Sequence, residues 1–162
     1  MQSLLILIGI STAGALGLHA AAIPVVTLQS SQATAKAPVT IPFELNGRHI
    51  LLKGKVNGQP LSFVLDTGDQ VAIVDLDVAK RLNLELTGEV RVGGAGAAIS
   101  TGSMVKNATF TLDGLDGFSQ PVRMALPLGR VLSPRSGRPF EGIIGEEFIK
   151  QFVVEIDYLA KS

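Results

Sequence analysis

The chain has 162 residues, of which 46% are hydrophobic and 17% are charged, and its formal net charge is zero. This composition is typical of one globular domain with a short leader and argues against a disordered chain. A neutral chain without a basic stretch has no general attraction to nucleic acid, so we expect no nucleic-acid partner. The chain contains no cysteine, which excludes disulfides, thiol nucleophiles and thiolate zinc sites.

The first 22 residues resemble a secretory signal peptide. The run from Leu4 to Leu18 is apolar or small apart from Ser11 and Thr12, and Ala20-Ala21-Ala22 offers a small-residue cleavage site. The run is short for a membrane span, although no Lys or Arg precedes Leu18, and the alternatives are a membrane anchor or a buried helix. We therefore predict export to the periplasm or the medium, with membrane contact only if the segment remains as an uncleaved anchor.

A folded domain is predicted over residues 40–162, after a flexible leader over 23–39 that is rich in Ala, Ser, Thr and Gln. Asn57-Gly58 predicts a hairpin turn because both residues tolerate positive φ. Asp75 is a candidate N-cap for a helix over Leu76–Leu82, and a second helix is predicted over Glu146–Gln151. Strands are predicted over 48–56, 61–65, 71–74, 89–92, 97–106, 108–112, 122–126 and 152–158, and a loop over 127–139. So many short strands predict a mostly-β domain, either a barrel or a sandwich.

The triplet Asp66-Thr67-Gly68 places a carboxylate at the end of a predicted apolar strand. A second apolar run, Val71–Val74, follows it directly. A carboxylate in such a place is either paired with a shifted pKa, which indicates acid–base chemistry, or exposed in an ordinary Asp-x-Gly turn. The triplet alone does not decide between these two interpretations.

The order of three features resembles the retropepsin-like aspartic proteases, in particular the bacterial aspartyl protease domains of that group. The features are the Asp66-Thr67-Gly68 turn after a hairpin, the glycine-rich turn Gly93-Gly94-Ala95-Gly96 and the unit Gly142-Ile143-Ile144-Gly145. The similarity runs from about Phe43 to Tyr158. It implies a single retropepsin-like lobe, a closed β-barrel with one or two short helices, in which the Ile-Ile unit packs behind the Asp66 turn.

The resemblance also implies an aspartic endopeptidase with Asp66, Thr67 and Gly68 as its catalytic triplet. One domain supplies only one of the two carboxylates needed, so the implied enzyme is a homodimer in which the two Asp66 side chains share a proton. Thr67 would brace the two turns across the interface, and Gly68 would donate its amide to the carboxylate. The Gly93-Gly94-Ala95-Gly96 turn would form a flap over an extended peptide or protein substrate.

Two features depart from the family pattern. Asp69 stands where the family has Ala or Ser, and it either points inward, which raises the pKa values of the pair, or turns outward and caps the following backbone. We expect the outward orientation because grouping like charges is costly. The chain also ends soon after its last predicted strand, so it is either a fragment or forms a smaller dimer interface. These departures leave open a non-catalytic domain that binds peptide or mediates association.

No metal or cofactor is expected. Asp66, Asp69, Asp75 and Asp77 do not have the spacing of a calcium loop. The two histidines, His19 and His49, lack the partners of a zinc site or a catalytic triad and are interpreted as structural. Glu146-Glu147 are interpreted as first-turn charges that the helix dipole favours.

Overall fold

The computed structural model describes residues 24–30, 38–93, 99–131 and 140–159. The strands in this part are β1 Val25–Ser30, β2 Val39–Asn46, β3 His49–Val56, β4 Gln59–Leu65, β5 Ile73–Asp75, β6 Glu85–Gly93, β7 Ile99–Lys106, β8 Thr109–Leu112, β9 Gln120–Pro121, β10 Met124–Leu126, β11 Gly142–Ile144 and β12 Phe152–Asp157. The helices are α1 Leu76–Arg81, α2 Leu128–Val131 and α3 Glu146–Ile149. The prediction of a mostly-β domain with short helices is confirmed, and most predicted strands lie within a few residues of their predicted ends.

Strands β2, β3 and β4 form an antiparallel meander that leads to Asp66. The turn between β3 and β4 is the predicted Asn57-Gly58 hairpin, in which both residues have positive φ, 47° and 82°. Successive strand residues face opposite sides of a sheet, so Leu51 and Leu52 enter two different apolar clusters. The meander is therefore buried on both faces over its central part.

Strand β11 comes from near the end of the chain and lies between β4 and β5. It pairs in parallel with β4, where Ile143 is opposite Val64, and antiparallel with β5, where Ile143 is opposite Ile73. The strand starts with Gly142 because an added Cβ would lie 2.6 Å from Phe63 Cδ1 and 3.0 Å from the Ile73 carbonyl oxygen. The late strand thus separates the strand that enters the Asp66 turn from the strand that leaves it.

The strand pairings form one path in the order β12, β1, β2, β3, β4, β11, β5, β10, β7, β6, and β8 pairs with β3 and β9. Among the residues that the structure describes, no hydrogen-bonded pairing joins β12 to β6. The hydrogen bonds between the described strands therefore do not close the sheet into a barrel, and the closed barrel stays a prediction.

Aromatic side chains fill the larger of the two apolar clusters. Phe148 on α3 is 1% exposed and lies within ring contact of Phe110, Phe118 and Phe152, with centroids 6.2, 5.2 and 5.0 Å away. Phe110 also contacts Phe63 on β4, at 5.6 Å. This cluster fixes α3 against the sheet, and α3 in turn reaches the Asp66 turn.

Strand β1 lies inside the segment that was predicted to be a flexible leader. Val25–Ser30 pairs with both β12 and β2, so this part of 23–39 belongs to the folded domain, which begins before the predicted residue 40. The polar composition of the segment hid an alternation in which Val26 and Leu28 are buried and their neighbours are not. The rest of the leader, 31–37, lies outside the described residues.

Two predicted boundaries near residue 127 are wrong. The strand predicted over 122–126 begins only at Met124. The two residues before it bind other segments instead, because the Val122 amide donates to the Ala108 carbonyl and the Arg123 amide donates to the Ala72 carbonyl. The first part of the loop predicted over 127–139 forms the one-turn helix α2. The predicted signal peptide, 1–22, lies outside the described residues, and none of the described helices has the length and apolarity needed to cross a membrane.

We predict that Phe148→Ala lowers the free energy of unfolding by about 3–5 kcal/mol, because it leaves a cavity at the centre of the aromatic cluster. Denaturant unfolding would measure the loss. Val153→Ala is the matched control, since Val153 lies on the same strand as Phe152, β12, but is 60% exposed, and its change should stay within about 0.5 kcal/mol. Equal losses in the two variants would contradict the central place of Phe148.

Candidate active site

Asp66 lies directly after β4, where backbone hydrogen bonds hold its turn. Its amide donates to the Ile144 carbonyl oxygen at 3.0 Å, so the strand behind the turn fixes the backbone at the aspartate. Its Oδ1 atom accepts the Gly68 amide at 2.8 Å, as the resemblance implied. Asp66 is half-buried while Thr67 and Gly68 are exposed. The turn therefore presents one oriented carboxylate at the surface of the chain.

Helix α3 supports the turn from behind. The Glu146 amide donates to the Asp69 carbonyl at 2.7 Å, and the Glu147 amide donates to the Gln70 carbonyl at 2.8 Å. Gly145 allows this approach, since an added Cβ would overlap the Asp69 carbonyl oxygen and lie 3.0 Å from the Val71 carbonyl oxygen. Its φ of −105° is open to any residue, so space rather than conformation requires glycine here. The unit Gly142–Gly145 thus packs behind the Asp66 turn, as predicted.

An ion pair fixes α3 to the segment before β10. Arg123 Nη2 lies 2.7 Å from Glu147 Oε1 and its Nε atom lies 3.3 Å from Oε2, a two-point contact. These hydrogen bonds hold the pKa of the Glu147 carboxyl below its usual range. The sequence indicated only a dipole role for Glu147 and no role for Arg123, because no sequence pattern pairs residues 24 positions apart. The two side chains are positioning residues for the support of the turn.

Asp69 does not adopt the expected capping arrangement. Its side chain is half-buried, and within the described ranges its carboxyl accepts no hydrogen bond and joins no ion pair. Burial raises the pKa of the Asp69 carboxyl, and the negative charge of Asp66 raises it further. The charge of Asp66 therefore acts on Asp69, and the outward orientation of the Asp69 side chain stays a prediction.

The predicted flap belongs to the hairpin of β6 and β7. Gly93 and Ile99 are opposite each other where the two strands end, and Gly94, Ala95 and Gly96 lie outside the described residues. Lower on the hairpin, Val90 and Val92 pack against the smaller apolar cluster. That cluster includes residues of β4, β5 and β11, so the hairpin is attached to the strands that hold the Asp66 turn.

The remaining polar candidates have structural roles. Asp75 caps α1 as predicted, with Oδ1 accepting the Asp77 and Val78 amides, and its Oδ2 also accepts the Gly129 amide at 3.1 Å. The His49 ring packs on Phe140 with centroids 4.9 Å apart. Within the ranges that the structure describes, no three His, Asp or Glu side chains are grouped closely enough to hold a metal ion. His19 lies outside those ranges.

The Asp66 turn and strand β11 behind it both lie within the span that matches a known protein family. The model of the aspartyl protease family matches residues 52–148, more than half of the chain, from within β3 to within α3. The chain therefore belongs to the aspartyl protease family, as its sequence features predicted. No curated protein matches it. Among solved structures it is similar to a retropepsin-like aspartic protease from Rickettsia conorii, at 14% identity and a TM-score of 0.41, over 72% of this chain and 87% of that one.

We predict that Gly145→Ala lowers the free energy of unfolding by about 1–3 kcal/mol, because the added methyl group overlaps the Asp69 backbone. Chemical denaturation would measure the loss. Gly129→Ala is the matched control, since its added Cβ meets nothing nearer than Asp75 Oδ2 at 3.9 Å. If Gly145→Ala were as stable as Gly129→Ala, the close packing of α3 on the turn would be disproved.

We predict that Asp69→Asn stabilises the protein at neutral pH. The folded-state pKa of Asp69 is raised, so the folded state holds this proton more tightly than the unfolded chain does. Ionisation of Asp69 therefore destabilises the fold as the pH rises from about 4, the usual value of an aspartate, through the raised pKa. Unfolding measured at several pH values should show a gain at pH 7 that shrinks toward pH 4.

The control for this prediction is Asp116→Asn, a loss of the same charge in the exposed turn after β8. Its effect on the free energy of unfolding should not follow the same pH dependence. A stability difference between Asp69→Asn and the native protein that is constant with pH would rule out the raised pKa.

Proposed function

We propose that the protein is an aspartic endopeptidase that works as a homodimer, with Asp66 of each subunit forming the catalytic pair. The observation that carries this proposal is the orientation of one carboxylate at the surface of the turn. The Gly68 amide and the Ile144 carbonyl hold Asp66 in place, and yet its side chain stays accessible. Membership of the aspartyl protease family supports the same chemistry.

The chemistry requires a second carboxylate. One ionised carboxylate takes a proton from water while a protonated one polarises the carbonyl of the scissile bond. The described part of the chain has one Asp-Thr-Gly turn, so the second carboxylate would come from another copy around a two-fold axis. Two carboxylates so close cannot both ionise easily, and the pair therefore shares a proton and titrates as one unit.

The other site residues have distinct parts in this proposal. Gly68 keeps Asp66 oriented through its amide. Thr67 is exposed in the single chain, which leaves its hydroxyl available to the turn of the second subunit. The β6–β7 hairpin would close over a peptide or protein substrate through Gly93, Gly94, Ala95 and Gly96 and exclude water from the pair. We also propose that the enzyme is exported, on the basis of its N-terminal sequence alone.

A second candidate is a non-catalytic domain that binds peptide or mediates association. The presence of Asp69 favours it, because a further negative charge near the pair opposes the ionisation that water activation requires. The intact turn and its backing by Gly145 favour the catalytic candidate. An activity measurement separates the two.

We predict that the protein cleaves peptides at acidic pH, that a pepstatin-type inhibitor blocks the cleavage, and that Asp66→Asn abolishes it. The amide keeps the shape of the side chain but cannot act as the base, so kcat/KM should fall at least about a thousandfold, within the range assigned to acid–base catalysis and electrostatic stabilisation. A peptide-library digest combined with a measurement of mass in solution would provide both activity and oligomeric state.

Asp116→Asn is the matched control and should retain the activity of the native protein. Cleavage that survives Asp66→Asn would refute the assignment of Asp66. A strict monomer without activity would refute the paired mechanism and leave the binding domain as the remaining candidate.

A further inference from the structure

Gln120 on β9 is a buried polar side chain that lies outside the Asp66 turn. It is only 6% exposed, and the other buried polar side chain in the described residues is Asp75, which caps α1. Gln120 pairs across the sheet with Phe110, whose ring contacts Phe148 on α3. An amide in such an aromatic core is costly unless its hydrogen bonds are made, so its presence indicates a role beyond packing.

The oxygen of the Gln120 amide is linked to helix α3. Its Oε1 atom accepts a hydrogen bond from Gln151 Nε2 at 3.1 Å, and the same Nε2 atom donates to the Glu147 carbonyl at 2.8 Å. Gln151 follows the C-terminal end of α3, whereas Glu147 lies in its first turn. The Gln151 side chain therefore connects the buried strand β9 to the backbone of the helix.

The nitrogen of the Gln120 amide is not satisfied in the same way. Its Nε2 atom is shielded from solvent and makes no hydrogen bond of good geometry among the described residues. The pKa of the nearby Glu147 carboxyl is lowered mainly by Arg123 and only to a smaller extent by Gln120. An enclosed donor without a partner lowers the stability of a fold. Gln120 is therefore not the residue that would make this core most stable.

Glu147 connects Gln120 to the Asp66 turn. The Glu147 amide donates to the Gln70 carbonyl at 2.8 Å, three residues after the end of the Asp-Thr-Gly triplet begins to turn away from β4. Arg123 Nη2 holds the Glu147 side chain at 2.7 Å, and the bridge from Gln120 holds the Glu147 carbonyl. The residue that supports the turn is thus fixed at both its side chain and its backbone.

On the condition that the proposed function holds, we propose that Gln120 is a positioning residue, which fixes α3 through Gln151 and thereby keeps the Asp66 carboxylate in its catalytic orientation. Gln120 acts through the helix and does not touch the substrate. A displacement of about 1 Å far from the chemistry can lower a rate by about a hundredfold, so a small shift of α3 is sufficient for a measurable effect. The enclosed Nε2 atom is then a loss of stability that accompanies function.

The experiment uses Gln120→Met, which keeps an unbranched side chain of similar length but removes both hydrogen-bonding ends. Its kcat should fall by about tenfold with KM unchanged, because the surface that binds substrate is not altered. Its midpoint of denaturant unfolding should stay equal or rise, because the enclosed donor is gone. A residue that only stabilised the core would give the reverse result, a lower midpoint with an unchanged kcat.

Gln151→Met tests the same link without changing the core, since Gln151 is exposed and its loss cannot unfold the aromatic cluster. It should also lower kcat at constant KM. Gln59→Met is the matched control, because Gln59 is exposed at the start of β4, at the opposite end of that strand from Asp66. This control should keep the native kcat, KM and unfolding midpoint.

Hydrogen exchange provides a measurement that does not depend on cleavage. The Glu147 amide, which donates to the Gln70 carbonyl, should exchange about tenfold faster in Gln120→Met and Gln151→Met than in the native protein. The Gln59→Met control should exchange at the native rate. Faster exchange without a lower unfolding midpoint would show that α3 has loosened locally.

The outcomes separate this inference from the proposed function. A native kcat in Gln120→Met overturns the positioning role and leaves the endopeptidase standing. A lower unfolding midpoint in Gln120→Met, with native exchange and kcat in Gln151→Met, assigns Gln120 to packing and also overturns the inference. A native protein that cleaves no peptide refutes the proposed function, and the catalytic role of Gln120 then fails with it, whereas exchange still decides whether Gln120 fixes α3.

Discussion

The hydrogen bond from the Asp66 amide to the Ile144 carbonyl is the contact on which the site depends. It exists because β11 lies between β4 and β5, so a strand from the end of the chain meets the turn between two earlier strands. A turn of this kind would otherwise be held only at its two ends. The glycines at 142 and 145 allow the insertion, since a side chain at either place would overlap a neighbouring ring or carbonyl. The insertion of β11 therefore determines both the strand order around the turn and the backbone position of Asp66.

The support of the turn extends beyond β11 to Asp69 and helix α3. Here the backbone of Asp69 is fixed by Glu146, whose helix is in turn held by the Arg123–Glu147 ion pair and by the buried Phe148. The packing of the aromatic cluster therefore stabilises the turn as well as the core.

Local sequence signals predicted several elements around the site, whereas the pairings between residues far apart in the sequence became visible only in the structure. The Asn57-Gly58 turn and the Asp75 cap are visible in the sequence because each depends on a few adjacent residues. Strand β1 was missed because its polar residues resemble a linker, and only its pairing with β12 and β2 makes it a strand. The Arg123–Glu147 pair and the packing of α3 behind the Asp66 turn depend on contacts between residues far apart in the sequence, which no local pattern predicts.

The accessibility of the Asp66 turn follows from the same architecture. In a single chain, Thr67 and Gly68 are exposed although the strands on both sides of the turn are buried. A monomeric site would be expected to bury its reacting carboxylate in a cleft, where a low dielectric strengthens electrostatic stabilisation. In the homodimer that we propose, a second subunit and a substrate would enclose Asp66 and complete such a cleft, so the open position of the turn in a single chain is what that proposal requires.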